Sequence, residues 1–484
     1  MTSSEQPGQL YAAHEPVFPR RVKGQFRNLK WLIMAVTLGI YYVTPWLRWD
    51  RGPALPDQAV LVDLANRRFF FFMIEIWPDE FYFIAGLLIM AGLGLFLFTS
   101  ALGRVWCGYT CPQTVWTDLF ILVERWIEGD RNARVRLWNQ KWTLHKARLR
   151  LVKWLSWLII GLATGGAWVF YFADAPTLAR DLVTGQAHPV AYITMAVLTA
   201  TTFVFGGFAR EQICIYACPW PRIQAAMLDE DSLTVAYREW RGEPRGKLKA
   251  GQHNPEQGDC IDCMACVNVC PMGIDIRNGQ QMECITCALC IDACDEVMDR
   301  IGKPRGLIGY MALKDEAAER AGDHPKKLWK HIFRPRTLLY TALWSAVGIG
   351  LVVALFVRSP IDLNVTPVRN PLYVTMADGA IRNTYEIRLR NKHGEARPFR
   401  LSVSAAPGAD AGAATGALGL AIEGDDDATV TVPADETLTL RIYMLAAPGS
   451  DLARAARTDI RLWIEDVTSR DRVHADTIFN GKEG

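Results

Sequence analysis

Eight of the chain's twelve cysteines fall in two runs of nearly identical spacing. Cys260, Cys263, Cys266 and Cys270 read C-x2-C-x2-C-x3-C and are followed by Pro271. Cys284, Cys287, Cys290 and Cys294 repeat the spacing, with Asp295 where the first run has proline. Three closely spaced thiolates grip three corners of a 4Fe-4S cubane from one loop, and the fourth corner comes from farther along the chain. Where two such runs lie together, the fourth ligand comes from the other run. The expected ligation is therefore crossed. One 4Fe-4S cluster takes Cys260, Cys263, Cys266 and Cys294, and the other takes Cys284, Cys287, Cys290 and Cys270. Structural zinc also accepts four thiolates, but two complete sets at this spacing favour the cubane. The proline shapes a turn and is not a ligand, so Asp295 bears only on the local backbone.

The other four cysteines form a second repeat. Trp106-Cys107-Gly108-Tyr109-Thr110-Cys111-Pro112 and Cys214-Ile215-Tyr216-Ala217-Cys218-Pro219 are both C-x3-C-P. On a continuous helix, i and i+4 share one face, and the proline ends or kinks that helix. Two such pairs can converge on one four-thiolate site, and soft thiolates favour Cu(I), zinc or a further cluster. The competing reading is four small buried apolar side chains. Cys107, Cys111, Cys214 and Cys218 are thus candidate copper or redox thiols, expected within bonding range of a common metal. No catalytic residue is assigned. Arg104, Arg125, Arg210 and Arg222 flank these motifs; they can depress a thiol pKa, but ordinary loop charge also accounts for them. His145, His188, His253, His324 and His331 lack paired spacing and read as surface or interface residues. Met264, Met272 and Met282 read as packing around the cluster loops. No glycine-rich phosphate loop opens a helix, so no nucleotide or flavin site is expected.

These motifs need a scaffold, and it is a membrane one. Apolar stretches near 31–47, 81–102, 151–172, 189–208 and 337–357 approach the roughly 20 residues that cross a bilayer. The N-terminus does not read as a secretory signal, because no small-residue cleavage site follows the first of them. Lys153 lies near the start of the third and is expected to snorkel. Arg67-Arg68 followed by Phe69 to Phe72 reads as an interfacial helix before the second. Residues 1–30 hold five Lys and Arg, 103–150 nine and 209–336 eighteen, against four in 48–80 and one in 173–188. Cytoplasmic loops carry the excess, so the N-terminus and both cysteine-bearing regions are expected inside and the C-terminus outside. Each C-x3-C-P motif follows its span, the second or the fourth, by about five residues, at the cytoplasmic end.

The expected organisation is a cytoplasmic segment 1–30, a four-helix membrane domain 31–208 and a cytoplasmic domain 209–336 with the dicluster segment near 255–300. A fifth span, 337–357, then leads to a periplasmic domain, 358–484. That tail holds no cysteine. Alternation at Tyr385-Ile387-Leu389, Phe399-Leu401-Val403, Leu438-Leu440-Ile442 and Ile460-Leu462-Ile464 is separated by turn signals at Asn391–Gly394, Pro407-Gly408 and Pro433–Asp435. This pattern predicts an antiparallel β-sandwich, read as an interaction or structural module. Across all 484 residues half are hydrophobic and the net charge is +2, which excludes a disordered chain and gives no reason to expect a nucleic-acid partner.

In the order of these parts the chain resembles the CcoG/FixG/RdxA family, accessory proteins of cbb3-type cytochrome c oxidase. Trp106–Trp116 and Cys214–Arg222 carry the resemblance most specifically, and it covers nearly the whole chain. The first half is also similar to polyferredoxin subunits of membrane quinol dehydrogenases. The resemblance implies a multi-pass protein of the bacterial inner membrane with two ferredoxin-type 4Fe-4S clusters, needed to mature the oxidase. It implies reduction of Cu(II) to Cu(I), delivery of copper to a copper-exporting P-type ATPase, and an immunoglobulin-like outer domain. The alternatives are a quinol-linked electron-transfer subunit and a non-catalytic assembly scaffold. The electron donor is not indicated.

Overall fold

The computed structural model describes residues 16–52, 55–247, 257–323, 328–405, 418–423 and 428–482. His253, His324 and the Pro407-Gly408 turn lie outside them. The chain forms two compact units, residues 1–48 with 58–352, and residues 49–57 with 353–484.

In the first unit and its continuation, four helices are long and apolar enough to cross a membrane: Pro78–Leu102, Leu144–Val169, Pro189–Ala217 and Pro335–Val357. They leave Leu88, Ile159, Ile193 and Val353 exposed, as a lipid-facing surface requires. The expected first span is the helix Gln25–Val43, whose apolar part begins only after Arg27 and Lys30 and stops at a proline-containing turn, Thr44–Trp46. It falls short of the other four in length and apolarity.

Lys153 does not snorkel. Its ammonium is buried, 3.1 Å from Glu124 and 3.0 Å from Glu128. Both carboxylates come from the amphipathic helix Pro112–Glu128. Glu124 also meets Arg134 at 3.0 Å and Arg210 at 2.7 Å. Burial alone would raise the Glu124 pKa, but Arg210 and then Lys153 outweigh it and hold the carboxyl near 2. A carboxylate with a depressed folded pKa stabilises above its unfolded value and loses that contribution as pH falls through the folded one. The network should therefore loosen between about pH 4.5 and 2. Glu124→Gln leaves Arg134 and Arg210 without their carboxylate, while Lys153 keeps Glu128, and should cost about 3–5 kcal/mol, measured as a lowered thermal midpoint in detergent at pH 7.

Arg67–Phe72 is not an interfacial helix either. Arg68–Phe71 is the middle strand of a three-stranded sheet, between Val60–Asp63 and Ile74–Ile76. Arg67 and Phe72 take positive φ at its two ends, and Phe70 is buried while Phe71 is exposed. Consecutive phenylalanines suit a pleated surface with alternating faces better than one face of a helix.

The cysteine-run segment is built on two helices, Ala265–Val269 and Leu289–Arg300, beside a strand pair, Thr234–Tyr237 with Ile308–Met311. Asp292 on the longer helix accepts from the backbone N–H groups of Phe26 (3.2 Å) and Arg27 (2.7 Å), so the second run caps the N-terminus of Gln25–Val43. His331, expected at a surface or interface, is buried with Nε2 2.6 Å from Asp315 and Nδ1 3.6 Å from Asp231.

The second unit is a two-sheet β-sandwich. One sheet runs Leu418–Ile422, Thr437–Ala446, Ile381–Asn391, Ile361–Pro367, with Val374–Thr375 also paired to Ile381–Asn391. The other runs Thr429–Val432, Arg397–Ala405, Thr458–Asp466, Arg472–Phe479. All pairings are antiparallel. Tyr385, Ile387, Leu389, Ile460, Leu462 and Ile464 are fully buried, as their alternation predicts.

Candidate metal centres

Both runs shape their loops with the same backbone device. The residues flanking the second cysteine take positive φ: Asp262 (52°) and Met264 (58°) in one, Thr286 (54°) and Ala288 (59°) in the other. None is glycine, so each conformation costs energy unless its surroundings hold it. Alternating hands of this kind turn successive N–H groups into one concavity, a nest for anions such as iron–sulfur centres. A cubane held by four thiolates is anionic, so the loops fit it. Met264 and Ala288 then open the helices Ala265–Val269 and Leu289–Arg300, which places Cys266 and Cys290 in first turns.

The structure brings the cysteines together across the runs. Cys270, Cys284, Cys287 and Cys290 line one cavity, with Cys266, Val235, Met272 and Ile274 also on its walls. Burial pushes the Cys270 thiol up to about 12, and the thiols adding to that shift are Cys287 and Cys284 of the other run. Burial likewise pushes Cys294 up to about 12, and its sulfur neighbours are Cys266, Cys263 and Cys260. Arg277 braces the first loop through Asp262 (2.6 Å), the Met264 sulfur (2.9 Å) and Asp275. Among the described residues, no three His, Cys, Asp or Glu close around the position of a single ion.

Cys294→Ala should therefore damage the centre at Cys260, Cys263 and Cys266 and spare the one at Cys284, Cys287 and Cys290. EPR of the anaerobically purified variant, compared with Cys284→Ala, checks which signal disappears.

The C-x3-C-P motifs differ from the helical expectation in an instructive way. Proline disfavours helical ψ in the residue before it. Cys111 and Cys218 both precede proline and both extend, with ψ of 127° and 121°. Their N–H groups reach back five residues, Cys111 to the Trp106 carbonyl (2.9 Å) and Cys218 to the Ile213 carbonyl (2.8 Å). In each motif the proline opens the next helix, Pro112–Glu128 or, one residue on, Trp220–Met227. The Pro189–Ala217 helix prepares this by widening into π-helix at Phe205–Ala209 and again at Ile213–Ala217. Gln113, next to the first proline, donates to the carbonyls of Phe205 (2.8 Å) and Arg210 (3.1 Å) and so ties the two motifs together.

As a result Cys107, Cys111, Cys214 and Cys218 line one apolar cavity of about 720 Å³. Met90, Phe98, Trp220 and Trp344 form part of its wall. Cys107 donates to Gln224 Oε1 (3.0 Å), and Gln224 donates to Thr99 (3.2 Å). Burial pushes the Cys107 thiol up to about 11, against the opposing pull of Arg104. Arg125 instead bonds the carbonyls of Pro19 and Arg20, and Arg210 belongs to the Glu124 network.

The cavity abuts the second cysteine loop. A Cβ on Gly108 would stand 2.7 Å from the Ile285 carbonyl oxygen and 3.0 Å from the Cys287 Cα. Tyr109 donates to the Cys287 carbonyl (3.2 Å). Cys107 and Cys287 share one apolar cluster, with Cys214, Cys270 and Cys290 packed against it. Cys260, Cys266 and Cys294 belong to another, which Cys290 also joins. Cys263 alone among the cysteines is exposed. Sulfur thus runs from solvent at Cys263, through both cysteine sets, to the cavity.

Comparison with known proteins agrees with this anatomy. Residues 83–130 match a 4Fe-4S binding domain, 209–313 a 4Fe-4S dicluster domain, and 351–482 an Ig-like fold found at the C-terminus of FixG. The chain is 73% identical to protein RdxB of Cereibacter sphaeroides over the full length of both. It is 66% identical to RdxA of the same organism, over 94% of this chain and 95% of that one. It is 52% identical to the nitrogen fixation protein FixG of Rhizobium meliloti, over 98% of this chain and 94% of that one. Two cysteine sets with matching loops, apolar spanning helices and an Ig-like β-sandwich coincide with full-length similarity to these proteins, and the chain belongs to the CcoG/FixG/RdxA family of iron–sulfur membrane proteins.

Proposed function

We propose that the protein is a membrane-bound cupric reductase, converting Cu(II) to Cu(I) by one-electron transfer. The carrying observation is the contact at Gly108, where the loop of the second cysteine set meets the motif that supplies Cys107 and Cys111 to the cavity. Two 4Fe-4S clusters, held by Cys260, Cys263, Cys266, Cys294 and by Cys284, Cys287, Cys290, Cys270, supply single-electron carriage when bound. The chain's own residues do the rest. Cys263 exposes the first set to an aqueous donor. The apolar walls around Cys266, Cys287 and Cys290 exclude water between the sets. The cavity thiols receive copper substrate, and soft sulfur favours the cuprous product over oxygen ligands. The balance is Cu(II) plus one electron giving Cu(I), with no proton required.

The test is anaerobic. Purified protein carrying both clusters, reduced beforehand, should convert Cu(II) to Cu(I) in the presence of a cuprous chelator, in proportion to the electrons stored. Oxidised clusters with Cu(II) left unreduced would sink the reading. A second reading, a quinol-linked relay, is favoured by the cavity's apolar wall on the Pro78–Leu102 helix. Oxidation of a short-chain quinol by the protein without added copper would support that reading instead. The family resemblance adds the setting: maturation of a cbb3-type oxidase, with a copper-exporting ATPase as recipient of Cu(I).

The proposed topology has five spans, including Gln25–Val43, with the N-terminus and all twelve cysteines on the cytoplasmic side of the inner membrane. The β-sandwich is periplasmic. An alkaline phosphatase fused after Gly484 should be active, and the same reporter inserted in the 130s should be silent. The reverse pattern would invert the assignment.

A further inference from the structure

Several buried cations of the first unit are paired with carboxylates: Arg27 and Lys30 with Asp118 at 2.9 and 3.6 Å, Arg134 and Lys153 with Glu124 at 3.0 and 3.1 Å. Lys146, buried as well, has its ammonium satisfied by the carbonyls of Trp138 and Gln140. Arg104 is different. It is 4% exposed, and among the described residues no carboxylate pairs with it. Its guanidinium donates to the carbonyl of Met282, two residues before Cys284, and it lines the thiol cavity beside Cys107. Its Nε is buried without a partner. A buried charge without a counter-charge is strongly unfavourable, so this cation calls for an anion. Its charge acts on the sulfurs of Cys284, in the second cysteine set, and of Cys107 and Cys214, in the cavity that it lines.

We propose that Arg104 is the counter-charge shared by the second cluster and the thiol cavity, and that it raises the reduction potential of that cluster. The inference rests on the reading above, in which Cys270, Cys284, Cys287 and Cys290 hold a 4Fe-4S cluster. Reduction adds one negative charge to that centre. A fixed cation in a dry site stabilises the added electron, since cluster potentials respond to net charge, hydrogen bonding and solvent exposure. Arg104 is thus a positioning and tuning residue and not a metal ligand. Its place between Met282 and Cys107 makes it common to the donor and acceptor ends of the last transfer.

EPR-monitored redox titration of the full-length protein in detergent tests this with Arg104→Gln and Arg104→Lys. Two cluster signals in the parent test the underlying reading; if only one is present, that reading fails before the variants are compared. With both present, Arg104→Gln should lower the equilibrium constant for reducing the second cluster about tenfold, a shift of about 59 mV to more negative potential. The first cluster should not shift, and Arg104→Lys should stay close to the parent. Loss of the second signal in Arg104→Gln with retention in Arg104→Lys also supports a charge requirement. An unchanged second potential in Arg104→Gln overturns the proposal. So does equal loss or equal shift in both variants, which would make the residue a mere brace for the Met282 carbonyl.

Discussion

Replacing Cys107 and Cys218 together by serine should abolish copper reduction while both cluster EPR signals persist. The pair takes one thiol from each motif, so neither half of the cavity keeps its full sulfur set. Serine keeps a hydroxyl that can donate to Gln224 as the Cys107 thiol does, so the fold around the site should survive. What is lost is softness, since a hydroxyl is a hard and weak ligand for Cu(I). The loss in copper affinity should exceed about 100-fold, the upper range for disturbing only the surroundings of a metal site. Competition against a cuprous chelator measures affinity, and anaerobic stopped-flow measures the reduction rate. Normal binding and reduction in the double variant would remove the four thiols from the mechanism and leave the quinol relay as the better account.

The second large effect is expected from one methyl group. Gly108→Ala introduces a Cβ that would stand 2.7 Å from Ile285 oxygen and 3.1 Å from the Cys287 nitrogen. Both are backbone atoms, so the loop of the second cysteine set must move away from the cavity. Overpacking of this kind costs about 1–3 kcal/mol. The functional cost should be larger, of order 100-fold in the copper reduction rate, because transfer geometry is sensitive to displacements near 1 Å. Both clusters should still assemble. Gly39→Ala is the matched control, since nothing lies within 4 Å of its added Cβ, and it should leave the rate unchanged. Equal rates for the two variants would show that the contact does not matter to transfer.

The two cysteine runs and the iron–sulfur character of the chain were legible in the sequence because cubane ligation depends on spacing, and spacing is a one-dimensional property. The same holds for the alternating strands around Tyr385 and Ile460. What could not be read was pairing between distant segments. Gly108 looks like any glycine until Ile285 packs against it, and Gln113 looks like a surface amide until the π-helix at Phe205 offers it free carbonyls. Lys153 was misjudged for the same reason. Its partners Glu124 and Glu128 lie on a helix outside the apolar stretch that suggested snorkelling. The reading of Arg67–Phe72 as a helix failed on period, because a run of four phenylalanines has none. A local signal did exist for the C-x3-C-P geometry. Proline after cysteine in both motifs already forces an extended Cys111 and Cys218, which a continuous helix could not accommodate.

Asp292 carries a consequence for how the protein is made. The helix Gln25–Val43 leaves the ribosome early, yet the carboxylate that caps it belongs to a segment synthesised some 265 residues later. That segment takes its shape from loops whose left-handed residues are stable only when held, and metal binding commonly supplies the energy that folds such elements. Gly24 leaves room for nothing but this carboxylate, since a Cβ there would lie 2.2 Å from the Asp292 side chain. Until that segment is made and folded, the backbone N–H groups of Phe26 and Arg27 lack the carboxylate that caps them in the finished molecule.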